Sequence, residues 1–356
     1  MALLCSHKGR AFRWHQGELH RNLLAPRQFI SKSEEDDGRK AYMEGVAQER
    51  KKAFLVKCRP DFGSANLRGG RPVSQSGSPI RNISDTAHWA AVYRARETDR
   101  RDALFRDPYA RRLAGARGEQ IADSLPFGNR ATWAWVTRTY LFDQFIIEQV
   151  QQGVDMVINL AAGLDARPYR MALPSSLQWI EVDLPEILAY KEQILSGEKP
   201  VCALERVRLD LSDVSARREL FGQLGGKARK ALIIAEGLII YLSADEVGSL
   251  GQDLASPPSF QRWILDLASP GLLRMLQKNM GRQLSQGGAS LKFGPKEGPE
   301  FFTPYGWKPA DVRSPLKTAA RLKRLPFWMR LLAMLPESTG SQGSRPWSGI
   351  CLFARQ

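Results

Sequence analysis

From residue 83 onward the apolar residues follow two different spacings. Trp89, Val92 and Tyr93 share one helical face, and Ser84 or Asp85 just ahead of them can cap that helix. Trp133, Trp135, Val136, Leu141, Phe145 and Ile146 recur at helical intervals and predict a helix over 132–151. The pattern then changes. Short apolar runs at 156–160, 179–182, 207–209, 232–235 and 263–267 alternate with amphipathic stretches at 185–195, 215–224 and 244–254. Strands alternating with helices predict an α/β fold, a doubly wound and mostly parallel sheet with helices on both faces. A last apolar run at 349–354 predicts a closing strand, and no internal repeat is present.

Residues 1–80 lack this periodicity. They hold the cluster Glu34-Glu35-Asp36-Asp37 and end in a Gly/Ser/Pro-rich stretch at 69–79, which predicts a flexible or weakly structured extension ahead of a domain at 81–356. The first thirty residues are Arg-rich with one acid, a composition similar to an organelle transit peptide, and an over-long reading frame with Met43 as internal start, or a non-functional tail, is the plainer account.

Composition narrows the function classes. The 52 Lys and Arg against 37 Asp and Glu give a net charge of +15, which favours an acidic partner. No Lys/Arg cluster interleaves with aromatic residues, so a solvated basic surface is expected rather than a nucleic-acid interface. Cys5, Cys58, Cys202 and Cys351 lie far apart, with no pairing or His neighbour at metal-ligand spacing. A reducing, cytoplasmic setting without disulfides or a metal site follows as the expectation. The apolar runs at 231–242 and 325–336 are about a dozen residues and carry a charge, too short to span a bilayer, so no transmembrane segment is expected.

The chemistry concentrates at Val157-Ile158-Asn159-Leu160-Ala161-Ala162-Gly163-Leu164-Asp165-Ala166-Arg167, a buried strand entering a turn of small residues. Such a turn, opening a helix, is where doubly wound folds bind nucleotides, and Gly163 permits close approach of a ligand to the backbone. Twenty positions later Asp183 ends the second strand, where a carboxylate can accept both hydroxyls of an adenosine ribose. Asp210-Leu211 follows the third strand and Glu236 the fourth, so three acids stand at the carboxyl ends of successive strands. A pyrophosphate calls for a Gly-x-Gly-x-x-Gly turn, and this one holds a single glycine, which tilts the reading from a dinucleotide toward S-adenosylmethionine. A nicotinamide-dependent oxidoreductase and a non-catalytic module that keeps the fold stand as the alternatives. Within the predicted domain only His88 is a histidine, which favours an acceptor that needs no general base; Tyr109 and Tyr241 are read as core tyrosines, with a place facing the acceptor as the alternative.

These pieces, in order, resemble the bacterial branch of the leucine carboxyl methyltransferase family. To the segments above the resemblance adds Ser84-Asp85-Thr86-Ala87, Phe105-Arg106-Asp107-Pro108-Tyr109-Ala110, Arg138-Thr139, Asp183-Leu184-Pro185, Ala235-Glu236-Gly237, Phe301-Phe302 and Gly306-Trp307. It runs from about residue 81 to the C-terminus. It implies a class I methyltransferase, Rossmann-like, with an antiparallel last strand at 349–354 and a helical cap from 81–150 and 270–336. It further implies that Arg138 binds the methionine carboxylate of S-adenosylmethionine and Gly163 lines its amino-acid end. Asp183 would take the ribose, Asp210 and Leu211 the adenine, and Glu236 would lie near the methionine amino group or the sulfonium side. The implied reaction is O-methylation of a carboxylate or acidic hydroxyl on an unidentified small molecule or protein. No catalytic residue is assigned. The stretch 316–335, which mixes Lys/Arg with Leu, Phe327, Trp328 and Met329, reads as an amphipathic helix packed on the sheet, with a lid or a membrane-surface helix as alternatives.

Overall fold

The computed structural model describes residues 79–334, 343 and 345–356. The expected N-terminal extension and the reading of its first residues lie outside them up to residue 78, as do Cys5, Cys58 and the other three histidines.

Among the described residues four helices come first: α1 (Asp85–Thr98), α2 (Ala110–Ser124), α3 (Pro126–Arg130) and α4 (Thr132–Gln151). An alternating series follows: β1 (Met156–Leu160), α5 (Arg167–Arg170), β2 (Gln178–Asp183), α6 (Pro185–Ile194), β3 (Ala203–Arg208), α7 (Val214–Lys227), β4 (Ala231–Ala235), α8 (Ala244–Ala255) and β5 (Phe260–Ala268). Helix α9 (Pro270–Gln286), β6 (Trp307–Arg313), α10 (Pro315–Arg321), α11 (Phe327–Ala333) and β7 (Ser348–Arg355) complete the chain. The seven strands of the described residues form one sheet in the order β3-β2-β1-β4-β5-β7-β6. Strands β1 to β5 pair in parallel, and β7 lies antiparallel between β5 and β6.

Strand alternation sets the two faces. Met156, Ile158 and Leu160 of β1 and Ile233 and Ala235 of β4 pack with Phe221 and Leu224 of α7 and Val247 and Leu250 of α8. Their neighbours Val157, Leu232 and Ile234 turn to the other face and meet Leu141, Phe142 and Phe145 of α4. A third cluster, built on Trp89, Val92 and Tyr93, joins α1 and α2 to Leu164 and to Leu284 of α9. The strand order reverses at β1/β4, so the carboxyl ends of these two strands flank the crevice where such sheets bind ligands.

Local details depart from the sequence reading. Ser84 occupies the N-cap position of α1 without a side-chain cap bond. Asp85 instead accepts the Arg81 N–H at 2.6 Å and pairs with Arg117 at 2.5 Å, tying the helix start to α2. The helix after the small-residue turn is a single turn, four residues long. Strand β3 begins at Ala203, four residues before the apolar run, because Glu205 and Arg206 alternate with partly buried Leu204 and Val207. Within the segment expected to cap the cofactor, residues 307–313 enter the sheet as β6. Only Trp307 of that strand is buried, and Lys308, Pro309 and Asp311 hide it from a search for apolar runs. No described helix is long and apolar enough to cross a membrane.

Candidate functional site

The turn after β1 is held by side chains as well as backbone. Ala161 and Gly163 both adopt positive φ, 50° and 47°, so the chain reverses within three residues. Asn159 Nδ2 donates to Asp165 Oδ2 at 2.9 Å, and Arg94 Nη2 donates to the Leu164 carbonyl at 2.5 Å. Arg94 is in turn paired with Asp107 at 2.9 Å, so the Phe105–Ala110 motif acts from behind the turn and stays off the cavity wall. A Cβ added at Gly163 would stand 3.1 Å from the Ala87 Cβ, in a backbone conformation that other residues resist.

Asp183 reaches across from β2 to this turn. Its Oδ2 accepts the Gly163 N–H at 2.6 Å and its Oδ1 the Leu184 N–H at 2.7 Å. Burial pushes its carboxyl above the ordinary value, against the pull of those two N–H groups and of Lys191. Asp210, at the end of β3, is exposed and accepts the Ser212 N–H at 2.8 Å, with Leu211 half-buried beside it.

Past β4 the charges interlock. Glu236 Oε1 accepts from Arg138 Nε of α4 at 3.0 Å, and its Oε2 lies 2.8 Å from Arg167 Nη2. Arg138 Nη1 is 3.5 Å from Asp266 Oδ2 of β5, and its guanidinium stacks 4.9 Å from the Trp135 ring. Asp266 Oδ1 accepts the Gly237 N–H at 2.6 Å. Gly237 sits at φ 69°, and a Cβ there would stand 3.2 Å from Arg138 Nη1. Burial raises the Asp266 carboxyl, and Arg138 pulls it back down. Burial likewise raises the Tyr241 phenol, with Arg138 and a hydrogen bond to Thr86 opposing it.

All six residues singled out for the cofactor (Arg138, Gly163, Asp183, Asp210, Leu211 and Glu236) line one cavity of about 1540 Å³. Ligand sites ordinarily take ~300–1,000 Å³, so this one has room for two molecules side by side. The helices around it contribute apolar lining, Phe127, Trp133, Leu276, Met280 and Trp328 among it. Tyr241 lines it; Tyr109 does not, and packs on Tyr169 with ring centroids 5.7 Å apart. His88 is also away from it, its Nδ1 3.1 Å from the Ala114 carbonyl. Asp266, Arg167 and Arg130 are among the wall residues to which sequence reading gave no role. Asp266 is an acid inside the apolar strand Trp263-Ile264-Leu265-Asp266-Leu267, a signal that was readable. Arg167 was quoted in the motif without a role, and it is buried against Asp143, Asp165 and Glu236. Arg130, at the end of α3, carries no sequence signal at all. Among the described residues it is the cation on the cavity wall that enters no ion pair.

The chemistry of the walls suits S-adenosylmethionine. Asp183 is an acceptor aimed at the glycine turn, the turn is open to close approach, and no second glycine or free cation stands there for a pyrophosphate. Arg138 and Arg167 against Glu236 and Asp266 make a neutral set with both signs, as a zwitterionic amino-acid end requires.

Comparison with known proteins agrees. The model of the leucine carboxyl methyltransferase family matches residues 87–255. A protein of Parafrankia sp., whose name assigns it to the S-adenosyl-L-methionine-dependent methyltransferases, is 34% identical over 263 residues, 68% of this chain and 82% of the relative. A Mycobacteroides abscessus protein of the same description is 30% identical over 270 residues, 69% of this chain and 89% of the relative. A second from that organism is 31% identical over 188 residues, and the match spans 61% of its length. Among solved structures, a DUF574 family protein from Streptomyces avermitilis superposes with a TM-score of 0.49 at 13% identity, covering 75% of this chain and 97% of that one. The sheet order, the acid-rimmed cavity and the relatives agree: this chain belongs to the leucine carboxyl methyltransferase family of S-adenosyl-L-methionine-dependent methyltransferases.

Proposed function

We propose that the enzyme methylates a carboxylate oxygen of a largely apolar acceptor, with Arg138, Gly163, Asp183, Asp210, Leu211 and Glu236 holding the cofactor. The observation that carries this reading is the division of one cavity. The strand ends supply it with acids, which meet paired arginines, while the surrounding helices supply Phe127, Trp133, Leu276, Met280 and Trp328 together with Arg130, unpaired among the described residues.

A carboxylate offers about four acceptor sites. Gly163 and Leu184 use one on each Asp183 oxygen, which leaves each oxygen a site for one ribose hydroxyl. Asp210 stands where the adenine amino group would donate, with Leu211 against the ring. The Arg138–Glu236–Asp266 set would open to a zwitterion, the arginine taking the carboxylate and the acids the ammonium. Helices α1, α3, α4 and α9 would close the site from above the sheet edge. When bound, the cofactor supplies a methyl group for direct displacement: a bond forms from acceptor oxygen to methyl carbon, and the carbon–sulfur bond breaks with its electron pair left on sulfur. The chain's own part is alignment, a contribution worth up to ~7–11 kcal/mol when geometry is right. Apolar walls also favour a step in which an anion and a sulfonium neutralise each other, because water no longer stabilises the separated charges. A carboxylate is already ionised near neutral pH, so the site needs no base. Arg130 would hold the second carboxylate oxygen.

Incubation with methyl-tritiated cofactor and a panel of dodecanoate, benzoate and a peptide ending in leucine tests this. Methyl esters release volatile methanol in base, whereas methyl ethers and amines keep their label. Base-labile tritium on an acid is expected, and Arg130→Gln should raise the KM for that acid about tenfold while leaving cofactor affinity unchanged. Label that resists base, on a phenol or an amine, overturns the carboxylate assignment.

A further inference from the structure

Residues 314–334 contain five cations (Lys317, Arg321, Lys323, Arg324 and Arg330) and no acid. Four of the five are exposed; Arg324 is turned inward to Glu97 at 2.9 Å and Asp102 at 2.8 Å. The same stretch holds the largest exposed apolar side chains of the described residues. Phe327 is 79% exposed, Trp328 64%, Leu331 61% and Met334 81%. At 100° per residue Phe327 and Leu331 of α11 fall within about 40° of arc, and Trp328 lies about 60° beyond Leu331. The opposite side of α11 is anchored: Ala333 and Met329 pack with Ala319, Leu325 and Trp133. The apolar face is therefore held outward by a fixed inner face.

Its position matters. Trp328 and Met329, together with Pro326 and Pro315, line the cavity, so the apolar face continues into the wall of the site. A soluble monomer rarely leaves so many large apolar groups together in water, and those that do have something to bind. Cations beside an aromatic and aliphatic face select an anionic, apolar surface, which is the combination an acidic lipid leaflet presents. We infer that α10 and α11 form an interfacial docking surface, which seats the cavity mouth on an anionic lipid layer so that an amphipathic acceptor can enter without crossing water. Phe327, Trp328, Leu331 and Met334 would enter the acyl boundary, and Lys317, Arg321, Lys323 and Arg330 would meet the headgroups. The docking itself stands on exposure and charge, whatever the acceptor's chemistry.

Co-sedimentation of the full chain with vesicles tests it in the absence of any acceptor. Two compositions are used: phosphatidylcholine alone, and phosphatidylcholine with three parts in ten of phosphatidylglycerol. Binding to the anionic vesicles is expected, and it should weaken at least tenfold in 0.5 M salt or when phosphatidylglycerol is omitted. The variant F327S/L331S/M334S should lose at least tenfold in partitioning, and R321E/K323E/R330E should lose a similar amount. Thermal melts and cofactor affinity, measured on the same preparations, should match the parent, which separates a lost surface from a lost fold or a misread cofactor site. No partitioning, or partitioning that both variants retain, overturns the inference. So does a parent dimer that the serine variant converts to monomer, because the face would then serve a second copy of the chain.

Discussion

The bond between Asp183 and the Gly163 N–H joins two residues that the sequence separates by twenty, and it makes one unit of the turn and the second strand's end. Burial raises the Asp183 carboxyl, so the folded chain holds that proton more tightly than the unfolded chain does. Its contribution to stability therefore falls as pH rises from the ordinary carboxylate range through the folded value. A protein keeps such a charge where a ligand can use it. Asp183→Ala should therefore weaken cofactor binding by about 1–3 kcal/mol through lost hydrogen bonds to the ribose, read by calorimetric titration with S-adenosylmethionine. An unchanged affinity in a folded variant would move the ribose elsewhere. The glycine, its acid and the two later acids were readable because each terminates an apolar run. Asp266 escaped because it sits within one, and Arg130 because a single surface cation looks like any other until the cavity wall around it is known.

Elements were legible in proportion to how much apolar surface they bury. Helix α4 and strand β1 have the bounds their periodicity predicts, since both are buried along one face or on both. Strand β6 did not show, as it is an edge strand with alternating exposure and a proline where β7 imposes no central ladder on both sides. Charged residues at fully buried positions mislead a hydropathy reading in the same way. Glu181 of β2 and Lys191 of α6 are both completely buried, 2.6 Å apart, and Arg206 of β3 meets the same carboxylate at 2.9 Å. Burial raises the Glu181 carboxyl, and the two cations oppose it. The trio fastens α6 onto the half of the sheet that carries Asp183. Removing one member leaves a buried charge uncompensated, so Lys191→Met should cost about 3–5 kcal/mol in urea unfolding with little change in slope. The double variant Lys191→Met with Glu181→Leu should recover part of that loss. A double variant as unstable as the single one would mean that the helix is held by packing alone.

Across the described residues the ligand crevice draws its arginines into ion pairs, Arg130 excepted. One network runs from Arg170 and Asp143 through Arg167 to Asp165 and Glu236, and from there to Arg138 and Asp266, linking α4, the β1 turn, β4 and β5. Burial alone would raise the Asp165 carboxyl, yet Arg167, Lys191, Arg170 and Arg94 outweigh it and hold the group well below the ordinary carboxylate range. A depressed value places this stability above the unfolded-state pKa, with progressive loss as pH falls toward the folded one. Asp165→Asn should therefore destabilise the protein most at neutral pH. The gap between parent and variant should shrink by about 1 kcal/mol between pH 7 and pH 3, because the unfolded parent takes up its proton over that interval while the folded parent does not. Urea midpoints of both proteins at the two pH values measure it. A gap of equal size at pH 7 and pH 3 would mean that Asp165 works through hydrogen-bond geometry rather than charge, and the network would then have to be explained without its central anion.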